Sequence, residues 1–419
     1  MYKMFIYDMK AISLFSGAGG DSVGMERAGV RVVAFSEMNK DAIATHRRNL
    51  PHSELIEYNG DTNIKNIPST VFEKYKGYID IVFAGFPCQG FSRAGKKKMD
   101  DPRNELVYEF IRVVDTVRPK WIIGENVTGL LSRKGTNPQT KAKEPVINII
   151  RTLFKNIGYH LTWNVYETTV VGVPQKRKRL IILGSDTNVW GNKYPRLNVV
   201  CETTNPTPSI RPFLEPTLVN AVRFPTANVP SETIPVFWID TPLVSPTGTP
   251  HPNLLRLVAG IRNKSSKEIS AGAGDTTNTS SKKPREQVIE KGGLISFGRR
   301  VGCYHGEVVH PDHPSKTIIC NYGLCPRLFV GLKTPNNEYY IRTFTETELA
   351  QIQGFPKTYE FIGNTKSVIT QIGNAVPPDL VKKIVESLYA PEWQDNHMSS
   401  VVSSGEEVDD TDDDMESSD

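Results

Sequence analysis

Cysteine is scarce in this sequence. There are five in 419 residues (Cys88, Cys201, Cys303, Cys320 and Cys325), an odd number with no CxxC pair, so a disulfide framework is not expected. No apolar run approaches the ~18 residues of a membrane span, which argues against a membrane protein. The N-terminus MYKMFIYDMK carries Lys3, Asp8 and Lys10 and makes a poor secretory signal. An intracellular chain, of cytoplasm or nucleus, is the expectation. Internal repeats are absent as well. Six side chains able to ligate metal (Cys303, His305, His310, His313, Cys320, Cys325) fall between residues 303 and 325. They show neither CxxC nor HxxxH spacing, so no metal is expected.

The charge that is present is unevenly spread. Residues 399–419 hold nine acids and no Lys or Arg. The chain has 50 basic and 46 acidic residues in all, so the remainder carries 50 against 37, a net +13. A basic body suits a polyanionic partner. The acidic end has too little apolar surface to offset its ordering entropy, and residues 393–419 read as a disordered tail.

Up to about residue 190, short apolar runs alternate with helix-like stretches. Candidate strands are Ala11–Phe15, Val32–Ser36, Ile79–Ala84, Trp121–Gly124, Leu161–Tyr166 and Leu180–Leu183. Candidate helices are Gly24–Gly29, Lys40–Asn49, Glu105–Val117 and Val146–Asn156. This alternation predicts an α/β fold, a parallel sheet covered by helices on both faces, with ligands at the carboxyl ends of its strands. From 191 to about 300 the chain turns rich in Pro, Thr, Asn and Ser and loses periodicity. Regular structure resumes with TETE at Thr345, a capping-box pattern opening a helix to Gln353, and with a closing helix over Pro378–Tyr389. Residues 10–190 and 345–392 therefore read as one catalytic domain, interrupted by an irregular second domain over 191–344.

Five motifs carry chemistry. Phe15-Ser16-Gly17-Ala18-Gly19-Gly20 is a strand end running into a glycine turn, where the backbone can approach a ligand closely. Ser22 stands where a third glycine would complete GxGxxG, which weakens a nicotinamide or flavin reading. Glu37 lies twenty residues past Gly17, at the end of the next strand, where an acid can accept from two ribose hydroxyls. Asp61, beside Thr62, is placed to accept from an adenine amino group. Together they read as a nucleoside pocket. Pro87-Cys88-Gln89 follows a strand and precedes a basic stretch (Ser92, Arg93, Lys96, Lys97, Lys98, Arg103). A thiol there is placed as a nucleophile, and nearby cations would raise its thiolate fraction. Glu125-Asn126-Val127 brings a carboxyl to the same sheet edge. In Gln175-Lys176-Arg177-Lys178-Arg179, strand alternation would send Arg177 and Arg179 one way and the lysines the other. Gln371 to Pro378 (QIGNAVPP) forms a turn opening the last helix.

In this order the motifs closely resemble those of DNA cytosine-5 methyltransferases. The matching segments are FSGAGG (15–20), Glu37, Asp61, FAGFPCQGFS (83–92), Arg103 to Leu106, ENV (125–127), QKRKR (175–179), HPSKTI (313–318) and QIGNAVPP (371–378). The likeness spans residues 10 to 390. It implies a Rossmann-like class I methyltransferase sheet with an inserted target-recognition domain, using S-adenosylmethionine as methyl donor and double-stranded DNA as partner, acting as a monomer. By resemblance, Cys88 adds to carbon 6 of a flipped-out cytosine while Glu125 assists at ring nitrogen 3. Carbon 5 then takes the methyl group. Arg179 would contact the base and Arg177 support the site, with Pro87 and Gln89 flanking the nucleophile. Phe15 would pack on adenine, aided by Met38. The backbone of Ser16, Gly17, Ala18, Gly19 and Gly20 would receive the amino-acid end of the donor. Glu37 would bind the ribose, Asp61 with Thr62 the adenine amino group, and Leu106 and Asn374 the remaining edge. Flipping a base costs a few kcal/mol, and the loop with Ser92, Lys96 and Arg103 is expected to close over it against phosphates.

Two other readings stay open at this level. Some relatives of this kind methylate transfer RNA and carry a late Cys-Phe-Thr signature, which this sequence lacks. A non-catalytic DNA-binding relative would have lost the nucleophile or the carboxyl, and both are present. Within 191–344, Arg211, Arg223, Arg256, Arg262, Arg285, Arg299 and Arg300 can read guanine edges or hold phosphate.

Overall fold

The computed structural model describes residues 9–87, 106–137, 140–196, 207–224, 237–238, 246–252, 254–255, 288–289, 294–296, 305–389 and 392–394. Its central sheet has seven strands: β1 (Lys10–Leu14), β2 (Arg31–Ser36), β3 (Glu54–Leu55), β4 (Ile81–Ala84), β5 (Trp121–Asn126), β6 (Tyr159–Glu167) and β7 (Lys178–Asp186), in the order β3-β2-β1-β4-β5-β7-β6. The first five pair in parallel. β7 is antiparallel to both β5 and β6. The expected all-parallel sheet is therefore a mixed one. The reason is local: β6 and β7 are joined by a short link of residues 168–177, too short for a helical crossover back to a parallel neighbour.

Side-chain alternation gives each face its own core. Ile12, Leu14, Val82, Ala84, Ile122 and Ile182 face α3 (Leu106–Val117) and α4 (Val146–Asn156). Their neighbours Ala11, Ile81, Phe83, Ile123 and Ile181 face α1 (Gly20–Arg27) and a C-terminal helix, Pro378–Ser387. The helix expected at Gly24–Gly29 starts four residues earlier and ends two residues sooner. Glycine disfavours helix interiors, but here closeness demands it. A Cβ on Gly20 would lie 2.3 Å from the Val376 carbonyl oxygen, and one on Gly24 would lie 2.4 Å from that of Pro378. α2 (Lys40–Asn49) falls where its amphipathic pattern places it, with the Asn39 side chain accepting from the Ala42 N–H.

The region predicted to be irregular holds a second sheet. Its strands are β8 (Val222–Phe224), β9 (Phe237–Trp238), β10 (Val288–Ile289), β11 (Leu294–Ser296), β12 (His305–Val308), β13 (Leu328–Lys333) and β14 (Tyr339–Thr343). β9 pairs with β13, and the others run β8-β14-β13-β12-β11-β10. The chain leaves the first sheet later than residue 191, because Tyr194–Arg196 packs back on it. Thr162 donates to the Pro195 carbonyl at 2.6 Å, and Tyr194–Arg196 pairs with Glu392–Gln394. The first residues of the expected tail thus belong to a strand, and 395–419 lie outside the described residues. Cys325 is disulfide-bonded, so the cysteines are not all thiols as their number and spacing suggest.

Two further helices precede the last. α5 (Glu346–Ile352) carries the predicted capping box between Thr345 and Glu348, and α6 (Thr365–Asn374) follows. Pro378–Ser387 is α7. Arg342 on β14 forms a fully buried ion pair with Glu348 on α5 at 2.6 Å. Arg342 also donates to the carbonyls of Glu215, Thr217 and Thr343, so the second sheet is clasped to the first domain by a charge with its hydrogen bonds satisfied.

Candidate active site

A cavity of about 530 Å³ opens at the carboxyl ends of β1, β2, β4 and β5. Each wall follows from local chain chemistry. After β1, Phe15 takes a left-handed backbone (φ 56°), unusual for a residue with a Cβ, and Gly17 follows at φ 54°. That turn presents Phe15, Ser16, Gly17 and Ala18 to the cavity. The turn is braced from outside, where the Tyr359 hydroxyl donates to the Ala18 carbonyl. Gly19 and Gly20 do not line the cavity. They face inward, toward His46 and toward Val376 respectively, and so serve packing beneath the turn.

Glu37 ends β2 with its carboxylate held in place by backbone. Its Oε2 accepts from Gly17 N–H at 2.9 Å, and its Oε1 from Met38 and Asn39 N–H at 2.8 Å each. A carboxylate offers about four lone-pair positions, so one on Oε2 remains for a hydroxyl. Met38 stands 66% exposed at the rim, and Thr62 and Leu106 are on the wall. Asp61 is not. It is exposed and occupied by Asn63 N–H at 2.8 Å and Asn66 Nδ2 at 2.7 Å, donors that hold its carboxyl below the usual range. Thr62 and Asn63 line the cavity where Asp61 was expected.

The opposite wall is built by β5, β7 and the segment after β4. Glu125 lies inside β5 rather than beyond it and is 9% exposed. Arg179 Nε meets Glu125 Oε1 at 3.0 Å. Burial alternates along 175–179 as the strand period requires: Arg177 and Arg179 are buried, while Lys176 and Lys178 are exposed. Arg177 reaches the backbone of two other segments. It donates to the carbonyls of Ile318 at 3.2 Å, Gly373 at 3.0 Å and Ala375 at 3.3 Å. It therefore ties the QKRKR segment to the GNAVPP turn, which itself ends α6 before α7 begins. Asn126 Nδ2 donates to the Phe86 carbonyl at 3.1 Å, anchoring the chain just before Pro87, which lines the cavity. Cys88, Gln89, Ser92, Lys96 and Arg103 lie outside the described residues.

Sequence reasoning missed two groups. Asn364, Lys366, Ser367, Thr370 and Gln371 join Asn374 on the cavity wall through α6. Asp21 also lines it, 2% exposed. The helical period of α6 could have pointed to Lys366, Thr370 and Asn374, which recur every four residues.

A mixed sheet of this kind, with a nucleoside-sized cavity at its carboxyl edge, defines a Rossmann-like methyltransferase. More particularly, the model of the C-5 cytosine-specific DNA methylase family matches residues 9–390, and the chain belongs to that family. It is a DNA cytosine-5 methyltransferase. It is 30% identical to the Type II methyltransferase M.NgoFVII of Neisseria gonorrhoeae, over 93% of this chain and 88% of that one. To the Type II methyltransferase M.DdeI of Desulfomicrobium norvegicum it is 28% identical, over 91% and 88%. Among solved structures, the S. pombe Dnmt2 methyltransferase shares the fold with a TM-score of 0.54 and 15% identity, covering 91% of this chain and 98% of that one. The Entamoeba histolytica methyltransferase EhMeth does so at 0.51 and 16%, with 91% and 98% covered.

The family implies S-adenosylmethionine as methyl donor and DNA as substrate. The donor's chemistry fits the residues present: Glu37 keeps an acceptor for a ribose hydroxyl, Phe15 and Met38 offer apolar surface for a purine, and Asp21 is an acid with no cationic partner among the described residues. Among the described residues no group of three or more His, Cys, Asp or Glu could hold a metal ion, and no helix is long and apolar enough to cross a membrane.

Proposed function

We propose that this enzyme methylates a flipped-out cytosine through a covalent adduct to Cys88, with Glu125 managing the proton at ring nitrogen 3. The observation that carries the reading is the Glu125–Arg179 pair at 3.0 Å inside the cavity, on the side where the chain enters Pro87 and then Cys88. S-adenosylmethionine supplies an electrophilic methyl group. Carbon 5 of cytosine is too weak a nucleophile to take it unaided. Addition of the Cys88 thiolate to carbon 6, with Glu125 hydrogen-bonding or protonating nitrogen 3, puts electron density on carbon 5. Once carbon 5 carries the methyl group, its proton leaves to a base and the carbon–sulfur bond breaks. The thiolate returns and the ring is again aromatic.

Arg179 orients the Glu125 carboxylate and offers its guanidinium to the base. Arg177 keeps the Asn374 turn against the cavity, and Glu37 takes the donor's ribose. Ser92, Lys96 and Arg103 serve the DNA backbone near the flipped base, and the second sheet belongs to target recognition over 191–344.

The test is methyl transfer from labelled S-adenosylmethionine to unmethylated duplex DNA and to bulk transfer RNA, with Cys88→Ala run beside the wild type and the DNA product mapped by bisulfite sequencing. The expected outcome is label in DNA, absent in the mutant, with a DNA–protein adduct trapped by a mechanism-based cytosine analogue. Label that survives Cys88→Ala would overturn the covalent reading, and label only in transfer RNA would overturn the substrate.

A further inference from the structure

Asp21 is the least explained group on the cavity wall. It opens α1 directly beneath the glycine turn and is 2% exposed. Its side-chain partners are hydroxyls, and the backbone N–H groups of Ser22 and of Asp21 itself also bond to it. Ser13 on β1 donates to Oδ2, and Ser16 lies 3.5 Å from Oδ1. Ser22 continues the set to His46 Nε2 at 3.1 Å, and the His46 ring stacks on Phe35 at 3.7 Å between centroids. Among the described residues no Lys, Arg or protonatable His forms an ion pair with Asp21. A buried carboxylate lacking a cation is costly. The cavity beside it is large enough for a nucleoside carrying an amino-acid arm.

We infer that Asp21 is a donor-binding residue that takes the α-ammonium of the methionine portion of S-adenosylmethionine, and so selects molecules carrying that arm. The inference rests on the reading of this cavity as the methyl-donor site. It explains why an acid is buried at the start of α1 beneath the glycine turn, with Ser13 and Ser16 holding its carboxyl in place.

Burial pushes the Asp21 carboxyl up to about 7, so at pH 6 it is largely protonated before the ammonium arrives. Pairing with a cation favours the carboxylate, and the displaced proton passes to solvent. Other charged or titratable groups nearby are accounted for. His46 is buried and neutral, held down to about 3. The Tyr359 hydroxyl is raised by burial and by Asp21. Glu37, Glu125, Arg177, Arg179 and Lys366 line the same cavity, and Arg27 pairs with Asp379 at the far end of α1.

The full chain and Asp21→Asn would be titrated by calorimetry with S-adenosylmethionine, S-adenosylhomocysteine and 5′-deoxy-5′-methylthioadenosine, which lacks the amino-acid arm. Asparagine can still accept from Ser13. The expected result is a loss of roughly 30-fold or more for the first two ligands, typical of a desolvated charge pair, and little change for the third. Equal losses for all three would reduce Asp21 to a packing role and overturn the inference, as would no loss. A loss confined to S-adenosylmethionine would move the contact to the sulfonium and overturn it too. A wild type that binds none of the three would overturn the cavity reading itself. If Asp21→Asn does not fold, the wild type at pH 6 in buffers of different ionisation enthalpy decides. Proton release with S-adenosylhomocysteine but not with the arm-less ligand supports the pair, and equal release with both refutes it.

Discussion

The cavity wall holds two buried acids, Asp21 and Glu125, and they are supported in opposite ways. Glu125 lies in a strand, with Arg179 at 3.0 Å. Asp21 lies at a helix start among hydroxyls, with no ion-pair partner among the described residues. Glu125 has its cation built into the fold, on the neighbouring strand. Asp21, held by hydroxyls and backbone N–H groups and raised by burial to about 7, would meet a cation only when a ligand brings one. In the proposed mechanism the same residue chemistry would serve reaction at Glu125 and binding at Asp21, and the difference lies in what the fold brings alongside.

The sharpest way to separate the two acids is Glu125→Gln. Losing the acid should lower turnover on duplex DNA by roughly 10²–10⁴-fold, the usual range for a positioned acid or base. Affinity for S-adenosylhomocysteine should stay within a few-fold. A comparable collapse of cofactor affinity would erase the proposed division of labour.

A second test uses stability against pH. The Asp21 carboxyl is raised from 3.8 to about 7 in the fold, so the folded protein holds a proton there that the unfolded chain has lost. Its contribution is fully present below pH 3.8 and is lost as pH rises through 7. His46 is lowered from 6.5 to about 3, so its contribution is present above 6.5 and is lost as pH falls through 3. Each has a slope of about 1 kcal/mol per pH unit in its window, with opposite sign. Between pH 4 and 6.5 the two largely cancel. Asp21→Asn should uncover the His46 slope, so that chemical denaturation across that range shows stability rising with pH more steeply than in the wild type. Parallel profiles for the two proteins would mean that Asp21 is not protonated in the fold.

The smallest expected effect belongs to Ser13→Ala. Removing the hydroxyl that donates to Asp21 takes away a charge-assisted hydrogen bond, and affinity for S-adenosylhomocysteine at pH 8 should fall by about tenfold. An unchanged affinity would mean that Ser16 and the backbone suffice to hold the carboxylate.

Some of this was legible in the chain and some was not. α2 and α4 follow from apolar periodicity with a suitable start, and the capping box at Thr345 is readable from TETE. Glu125, Arg177 and Arg179 stand out because strand alternation and strand ends are local properties. α1 was misplaced because Gly20 and Gly24 depress helix propensity. Their reason for being there is the turn at Val376 and the start of α7, whose backbone comes from some 350 residues further along and would collide with any Cβ. The second sheet was invisible because several of its strands are two or three residues long, and Val222–Phe224 and Phe237–Trp238 find their partners far along the chain. Asp61 looked like a pocket acid from its position after β3, yet its neighbours Asn63 and Asn66 fold back onto it.

By itself the sequence determined the chemistry and the family: the thiol in Pro-Cys-Gln, the acid after Gly124, the arginines in alternation and the glycine turn all depend on residue type and short spacing. Only the tertiary structure decided which of these groups share a cavity, that β7 runs antiparallel, that α6 supplies a wall, and that Asp21 faces the same space without a cation. Those outcomes depend on burial and on which elements pack together, up to α6, whose wall meets strand ends hundreds of residues earlier in the chain, and contacts of that kind leave no periodic trace.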